Sequence, residues 1–204
     1  MRKMKSGCIE LSKLYSYVNN DLYGLSLNGN GKDGRAFGRL AKSIVSSIDT
    51  HRGFYLWGKY ESTGLWRNIY LGKAELEKEK TANLRSRILE ELKDERAFLW
   101  HNFLKKDFLF SLGEKYYPKM WSTYKVHWER TIQKTGTTHI IWVTTPELKN
   151  ENIKMIESDL IEAINPIANF QRPSPKPDFQ ECTIEVISKF KENIHKNRKE
   201  AFKL

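Results

Sequence analysis

Cysteine is scarce in this chain of 204 residues, which contains only Cys8 and Cys182. The two cysteines are far apart, and neither belongs to a Cys-x-x-Cys pair or to a Cys/His spacing. This pattern argues against a zinc site and against a disulfide framework. We therefore expect both cysteines to be reduced and structurally ordinary thiols.

Long apolar runs are also missing. No window approaches the ~18 consecutive apolar residues of a membrane-spanning helix, and no apolar segment of a secretory signal follows the basic start 1–5. The mean hydropathy of −0.63 is typical of a soluble protein with a polar surface. We expect a cytoplasmic protein without a membrane partner.

A nucleotide-binding P-loop is absent as well. The stretch 28–34, Asn-Gly-Asn-Gly-Lys-Asp-Gly, lacks the spacing of a phosphate-binding loop, and no buried strand runs into it. Glycine and asparagine accept the positive φ angles of turns, so a surface loop is the favoured interpretation. A loop that reaches DNA is the minor alternative.

Positive charge is what the chain has in excess, with a formal net charge of +10 and a pI of about 9.5. A surplus of Lys and Arg favours a polyanionic partner, because each neutralised phosphate releases counterions. Ten Phe, nine Tyr and six Trp could stack on bases, although filling a core is their more common use. Charge alone leaves a basic protein without a nucleic-acid partner as an equal alternative.

Hydrophobic spacing predicts one domain of the α/β or α+β class, in which helices cover a small three-stranded sheet. Strands are predicted at 53–57, 68–71 and 138–145, the first two antiparallel. Helices are predicted at 1–23, 36–48, 81–104, 150–165 and 181–202. The remainder includes an aromatic and basic stretch without a clear pattern, 105–133, and an extended connector with three prolines, 170–178.

Charged side chains near apolar helix faces are the first candidates for chemistry. Glu157 lies within the apolar face of its helix, where an ionised carboxylate needs a cation or hydrogen bonds. The ordinary interpretation of Glu157 is an ion pair with a lysine. The functional interpretation is a ligand for Mg²⁺, which often takes only one or two protein carboxylates. Arg87 is either a helix ion pair with Glu90 or Glu91 or a bidentate phosphate ligand.

The tyrosines and histidines have ordinary interpretations too. Tyr55 and Tyr70 lie at strand positions, where a packed core tyrosine is the usual outcome, and Lys73 could be a plain surface lysine. His101 and His127 are additional candidates for chemistry. A histidine on an aromatic-rich helix is more often part of the core, so we do not count either of them among the candidate catalytic residues.

Five short motifs together resemble those of the GIY-YIG nuclease family. Gly53-Phe54-Tyr55 corresponds to the first tripeptide and Tyr70-Leu71-Gly72 to the second. Lys73-Ala74 follows the second tripeptide, as in the excinuclease branch of the family. Each tripeptide alone is weak support.

Two further motifs make the resemblance specific. Asn83-Leu84-Arg85-Ser86-Arg87 is similar to the Asn-Leu-x-x-Arg of that branch, whose arginine is catalytic. Glu157-Ser158-Asp159-Leu160-Ile161, followed by Pro166 and Asn169, is similar to Glu-x-x-Leu-Ile…Pro-x-x-Asn. The five elements occur in order over about 50–90 and 138–172.

The resemblance implies a three-stranded mixed or antiparallel sheet flanked by helices, with a core at about 50–172. Additions to that core are a helical extension 1–49, a helical insert at about 105–135 and a basic helix 179–204. The implied catalytic residues are Tyr55, Tyr70, Lys73, Arg87, Glu157 and Asn169.

The resemblance also implies a role for each of these residues. Glu157 binds one Mg²⁺, for which Mn²⁺ could substitute, and Arg87 stabilises the phosphate in the transition state. One of the two tyrosines is the general base. Lys73 supplies the positive charge that a tyrosine base needs at neutral pH, and Asn169 orients a tyrosine or Glu157.

Departures from the family pattern bear on the role in the cell. The loop between the tripeptides is long, residues 75–82 are a charged insertion, the gap from Arg87 to Glu157 is wide, and no helix-hairpin-helix module is present. The chain is therefore most similar to the stand-alone type II restriction endonucleases. That implies sequence-specific cleavage of double-stranded DNA by a homodimer, with a partner methyltransferase acting on the same site.

Two alternatives remain open at this stage. A homing or structure-specific repair nuclease would use the same chemistry, and a catalytically silent nucleic-acid-binding module would use none. Candidates for base recognition are the insert, the glycine-rich loop and the basic C-terminal helix, where Arg, Asn and Gln could reach base edges.

Overall fold

The computed structural model describes residues 3–11, 14, 32–75, 83–93, 137–169 and 180–201. The elements in these ranges are β1 (Ser6–Glu10), α1 (Lys32–Ile44), β2 (Gly53–Tyr60), β3 (Trp66–Ala74), α2 (Leu84–Lys93), β4 (His139–Thr144), α3 (Asn150–Ile164) and α4 (Glu181–Ala201). A short 3-10 turn, Val45–Ser47, follows α1. The described part of the chain is therefore mixed α+β, in agreement with the predicted class.

The strands form one antiparallel sheet in the order β1-β4-β2-β3. Strands β2 and β3 are a hairpin in which Tyr55 lies opposite Gly72. Strand β3 forms an edge, and the segment after α3 covers part of it, because the Ala168 N–H donates a hydrogen bond to the Ile69 carbonyl. This hydrogen bond occupies the edge over that stretch and so hinders pairing with a strand of another chain.

Strand β1 corrects two predictions, a helix over 1–23 and a sheet of three strands. It pairs with β4 along its whole length, so the sheet has four strands. Ile9, Leu11 and Leu14 are all buried, as their apolar character suggests. Their spacing loosely fits a helical face as well, and only pairing with a strand distant in sequence selects the extended form.

Helices cover both faces of the sheet, which gives three layers. The tyrosine face, defined by Tyr55 and Tyr70, packs against α1 and α2. The lysine face, defined by Leu71 and Lys73, packs against α3 and α4. Buried helix residues on the tyrosine face are Ala41, Leu84, Ile88 and Leu92. Those on the lysine face are Ile153, Ile156, Leu160, Val186 and Phe190.

Most predicted elements in the described ranges are confirmed with small changes at their ends. Helix α1 begins at Lys32, inside the stretch that was predicted to be a loop. Helix α3 ends at Ile164, where Asn165 takes a left-handed conformation with φ of 51° and donates its N–H to the Ile161 carbonyl. This left-handed cap ends the helix one residue before Pro166. Strands β2 and β3 are both longer than predicted.

Several predictions concern residues outside the described ranges. These are the first part of the glycine-rich loop, the second half of the helix 81–104, the insert, the proline-containing connector, His101 and His127. Among the helices that the structure does describe, none is both long and apolar enough to span a membrane.

Candidate active site

The β2–β3 hairpin brings the two predicted tyrosines to one face of the sheet. Tyr55 lies opposite Gly72, and Tyr70 precedes Gly72 by two residues, so both side chains point to the tyrosine face. Their ring centroids are 6.4 Å apart, with the planes inclined by 56°. Tyr55 is buried and Tyr70 is half-buried, so Tyr70 is the more accessible of the two.

Close packing explains the glycine in each tripeptide. A Cβ atom at Gly72 would lie 2.2 Å from Cζ and 2.3 Å from Oη of Tyr55, so the phenol ring lies directly over this glycine. A Cβ atom at Gly53 would lie 2.0 Å from the carbonyl oxygen of Val143 and 2.8 Å from Cδ1 of Leu84. Gly72 therefore determines where Tyr55 can lie, and Gly53 allows α2 to approach the sheet.

The Asn-Leu-x-x-Arg motif builds the start of α2. Oδ1 of the buried Asn83 accepts a hydrogen bond of 3.0 Å from the Ser86 N–H, which is the geometry of a helix N-cap. Leu84 is fully buried against the sheet. Arg87 follows one turn into the helix, where its N–H donates to the Asn83 carbonyl. The motif thus provides a cap, a core anchor and a guanidinium in a fixed order.

Arg87 and Glu91 of α2 lie beside Tyr55, and with Tyr70 they form the tyrosine cluster. The Tyr55 hydroxyl donates a hydrogen bond of 2.5 Å to Oε1 of Glu91. The guanidinium of Arg87 lies 3.5 Å from the same oxygen and 3.6 Å from Oε2 of Glu90. The ion-pair interpretation of Arg87 is confirmed. Its side chain is nevertheless 48% exposed, and exposed pairs of this kind are weak.

The surroundings of Tyr55 favour its neutral phenol. Burial and then the negative charge of Glu91 raise the pKa of Tyr55 well above its usual value, and Arg87 opposes them only in part. Burial also disfavours the charged form of Arg87, but Tyr55 and Glu91 outweigh it and raise the pKa of the guanidinium. The expectation that Lys73 would help a tyrosine to ionise is corrected, because the cation beside Tyr55 is Arg87.

Lys73 pairs with two carboxylates on the opposite face, and the three residues form the lysine cluster. Its Nζ lies 3.0 Å from Oε2 of Glu157 on α3 and 2.6 Å from Oε1 of Glu75, which follows β3. Burial alone would lower the pKa of Lys73, but its hydrogen bonds to Glu75 and Glu157 outweigh burial and raise it. The ion pair explains how Glu157 is tolerated on the apolar side of its helix.

Strand β3 connects the two clusters. Tyr70 and Lys73 are three residues apart, which is roughly 10 Å along an extended strand, and they point to opposite faces. The structure therefore groups Tyr55, Tyr70 and Arg87 on one side of an edge strand and Lys73 and Glu157 on the other. The edge of β3 between them is covered over 68–71 by hydrogen bonds from 167–169.

The side chain of Asn169 binds the backbone of β3. Its Oδ1 accepts a hydrogen bond of 2.8 Å from the Leu71 N–H, and its Nδ2 donates one of 2.9 Å to the Leu71 carbonyl. Leu71 lies between Tyr70 and Gly72. The expectation that the amide would orient a tyrosine hydroxyl or Glu157 directly is corrected, since Asn169 positions the strand that carries both clusters.

The carboxylates of Glu157 and Glu75 could hold a divalent cation. Both contact the same ammonium group of Lys73, so their oxygens lie near one position. Mg²⁺ commonly takes one or two protein carboxylates and completes its shell with water and phosphate oxygens, which this donor set fits. Within the described ranges, no three His, Cys, Asp or Glu side chains surround a common metal position. A cation here would compete with Lys73 for Glu157.

Sequence reasoning named Glu91 only as a possible ion-pair partner of Arg87, and it missed Glu75. Glu91 follows Arg87 by four residues and therefore shares its helix face. Glu75 follows Lys73 by two residues and therefore shares its side of the strand. These spacings are signals in the sequence, but they do not reveal that the Tyr55 hydroxyl meets Glu91.

No protein-family model matches the chain, and neither does any curated protein or solved structure. The resemblance to the GIY-YIG nucleases accordingly rests on the five motifs. What the structure adds is an α+β fold in which all five motifs contribute side chains to the two clusters and Asn169 of the last motif also supports β3.

Proposed function

We propose that this protein is a metal-dependent endonuclease that hydrolyses phosphodiester bonds of double-stranded DNA at specific sequences. The observation that carries the proposal is the placement of two tyrosines and an arginine on one side of an edge strand and a lysine and a glutamate on the other. The net charge of +10 supports a polyanionic substrate. The motif resemblance supports the same chemistry.

Arg87 is the proposed phosphate ligand. Its side chain is 48% exposed and its ion pairs with Glu90 and Glu91 are 3.6 and 3.5 Å long, so the guanidinium is accessible to a phosphate. A guanidinium can hold two phosphate oxygens at once. In this role it stabilises the negative charge that develops on the pentacovalent phosphorus.

Glu157 is the proposed Mg²⁺ ligand, with Glu75 as the second carboxylate and Mn²⁺ as a substitute metal. The metal ion would act as a Lewis acid toward the phosphate oxygens. Lys73 lies between the two carboxylates, and it would contribute a second positive charge next to the phosphate.

A tyrosine hydroxyl is the proposed acceptor of the proton from the attacking water. Tyr70 is half-buried and Tyr55 is buried beneath Arg87 and Glu91. The raised pKa of Tyr55 means that it acts as a neutral phenol and not as a preformed tyrosinate.

The proposed role in the cell is that of a type II restriction endonuclease. Such an enzyme cuts both strands of a palindrome, for which a homodimer with two-fold symmetry is suited. A methyltransferase that modifies the same sequence would be its partner. A homing or structure-specific repair nuclease would use the same clusters on a different DNA target.

One observation favours a second candidate, a nucleic-acid-binding module without catalysis. Arg87, Lys73 and Tyr55 all have carboxylate partners inside the protein. Each could therefore serve the fold alone. The basic surface would then account for binding without a reaction.

Incubation with long double-stranded DNA and Mg²⁺ tests the proposal. We expect discrete fragments that disappear with EDTA and with Glu157→Gln, while Glu192→Gln, an exposed carboxylate on α4, cleaves normally. Nicking only at branched DNA would move the role to repair. Tight, salt-dependent binding without cleavage would favour the silent module.

A further inference from the structure

Tyr55 presents a chemical problem for any mechanism in which it takes a proton from water. Its hydroxyl is enclosed, with the whole residue 1% exposed, and the surroundings hold it in the neutral form. A neutral phenol oxygen can accept a proton only if it releases its own proton at the same time. The acceptor of that second proton must already be in hydrogen-bond contact with the hydroxyl.

Glu91 meets this requirement. Its Oε1 accepts the hydrogen bond of 2.5 Å from the Tyr55 hydroxyl, so the donor and acceptor of the second transfer are already aligned. The titratable groups that face Tyr55 are Tyr70 of β3 and Arg87 and Glu91 of α2. Glu91 is the carboxylate among them, and a carboxylate is an acceptor when it is ionised.

The second oxygen of Glu91 is unusual. Oε2 is buried and has no hydrogen-bond partner among the described residues. A buried carboxylate oxygen without a partner is unfavourable. The other oxygen, Oε1, makes the contacts of this carboxylate with Tyr55 and Arg87.

Water can reach the enclosed hydroxyl only if Arg87 moves away from it. The guanidinium of Arg87 lies beside Glu91 and is 48% exposed, with both ion pairs at 3.5 Å or longer. A turn of Arg87 toward a phosphate would also remove its contact with Oε1 of Glu91.

We propose that Glu91 is the terminal proton acceptor of the hydrolysis, with Tyr55 as the relay. The inference rests on the proposed nuclease function. An O–H bond of the attacking water breaks and its proton moves to Oη of Tyr55, while the Oη–H bond breaks and that proton moves to Oε1 of Glu91. The electron pair of the water forms the new P–O bond. The 3′ oxygen leaves with the electrons of the broken P–O bond and is protonated by solvent, and Glu91 later returns its proton to solvent.

The relay differs from the mechanism expected from the motifs, in which one tyrosine acts as the base. It also gives Glu91 a role that the motif resemblance does not assign. A tyrosinate is not formed at any point, so the raised pKa of Tyr55 no longer obstructs the reaction.

Single-turnover cleavage by Glu91→Gln tests the relay. Glutamine keeps the size and an acceptor oxygen for the Tyr55 hydroxyl but does not take up the proton. We expect a rate at least ~100-fold lower, unchanged DNA binding and an unchanged unfolding midpoint. Glu91→Asp, which keeps a carboxylate, should retain far more of the rate than Glu91→Gln. Glu90→Gln is the matched control, because Glu90 also pairs with Arg87 and is 64% exposed.

The outcomes separate the relay from the proposed function. If the wild-type protein cleaves DNA and Glu91→Gln retains the rate, or Glu91→Asp is as slow as Glu91→Gln, the relay is wrong and the nuclease function stands. If the wild-type protein does not cleave any DNA, both are wrong. Loss of DNA binding or of the folded state in Glu91→Gln, with Tyr55→Phe still fully active, would show that Glu91 is structural and would also overturn the relay.

Discussion

The two faces of the sheet use the same pattern, a cation with carboxylates, in different ways. On the tyrosine face the cation is Arg87, which is 48% exposed and makes long contacts. On the lysine face the cation is Lys73, which is 20% exposed and held between Glu75 and Glu157 at 2.6 and 3.0 Å. The first arrangement leaves its cation partly open to solvent, whereas the second encloses its cation between two carboxylates.

The two faces also differ in how readily the cation can leave its carboxylate partners. Arg87 stays partly hydrated when it turns away, because it is 48% exposed, and Glu91 keeps its contact with the Tyr55 hydroxyl. Removal of Lys73 would leave two largely buried carboxylates facing each other, which is unfavourable. We therefore expect loss of Arg87 to act mainly on activity and loss of Lys73 to act mainly on stability and metal binding.

The largest effect is expected from Gly72→Ala, which disturbs the tyrosine face. The added Cβ would lie 2.2 Å from Cζ of Tyr55, so the ring must leave its place. We expect the free energy of unfolding to fall by about 1–3 kcal/mol and cleavage to be lost. Urea denaturation and the cleavage assay measure the two losses.

The control for this prediction is the same substitution in a Tyr55→Leu background. The smaller side chain removes the clash, so the additional cost of Gly72→Ala should be clearly lower there. An equal cost in both backgrounds would show that the ring of Tyr55 is not what Gly72 accommodates.

Asn169→Ala should act on both faces through strand β3. It removes two hydrogen bonds to Leu71, and we expect a loss of about 1–2 kcal/mol in unfolding free energy. The amide of Leu71 should exchange with deuterium faster than in the wild-type protein. Thr63→Ala, in the exposed turn between β2 and β3, is the control and should leave both quantities unchanged.

Lys73→Met tests whether the lysine face is a cation position. We expect a destabilisation of about 1 kcal/mol without metal, because Glu75 and Glu157 lose their shared partner. Mg²⁺ should raise the unfolding midpoint of this variant by more than that of the wild-type protein, since it replaces the missing charge. Lys189→Met, which breaks an exposed pair on α4, should not respond to Mg²⁺. An absent response in Lys73→Met as well would contradict a metal site.

The smallest effect is expected from His139, at the far end of the lysine face. Burial lowers the pKa of His139 below its usual 6.5, and Glu10 opposes this only in part. The unfolded chain therefore binds the proton more readily, so stability is complete above pH 6.5 and declines as the pH falls toward the folded-state pKa. We expect a loss below about 1 kcal/mol from this residue between pH 7.5 and 5.5.

Denaturation at the two pH values measures this loss. His139→Gln should reduce the pH dependence, whereas His195→Gln, an exposed histidine on α4, should not. An unchanged pH dependence in His139→Gln would show that other groups determine it.

Local patterns in the sequence predicted the hairpin, the capped start of α2 and the helix that carries Glu157. Each of these depends on neighbours within a few residues, such as Asn83 with Ser86. The family resemblance, and not local pattern, put Tyr55, Tyr70 and Arg87 in one catalytic set. The structure brings these three together, whereas Glu157 of the same set lies on the opposite face.

Contacts between distant segments could not be predicted in the same way. The identity of β1 as a strand depends on β4, which lies more than 120 residues later in the chain. The partner of the Tyr55 hydroxyl depends on how α2 packs over Gly53. The side of β3 to which Lys73 points follows from strand alternation, but only the packing of α3 shows that Glu157 meets it there.

The central claim is that both clusters are needed for one cleavage reaction. Single-turnover cleavage and DNA affinity of Arg87→Ala, Glu157→Gln and the double variant test it most directly. If the clusters form one site, each single variant loses cleavage by at least ~100-fold with nearly unchanged affinity, and the double variant is no slower than the slower single variant. Full cleavage in either single variant, or losses that multiply in the double variant, would contradict a shared site.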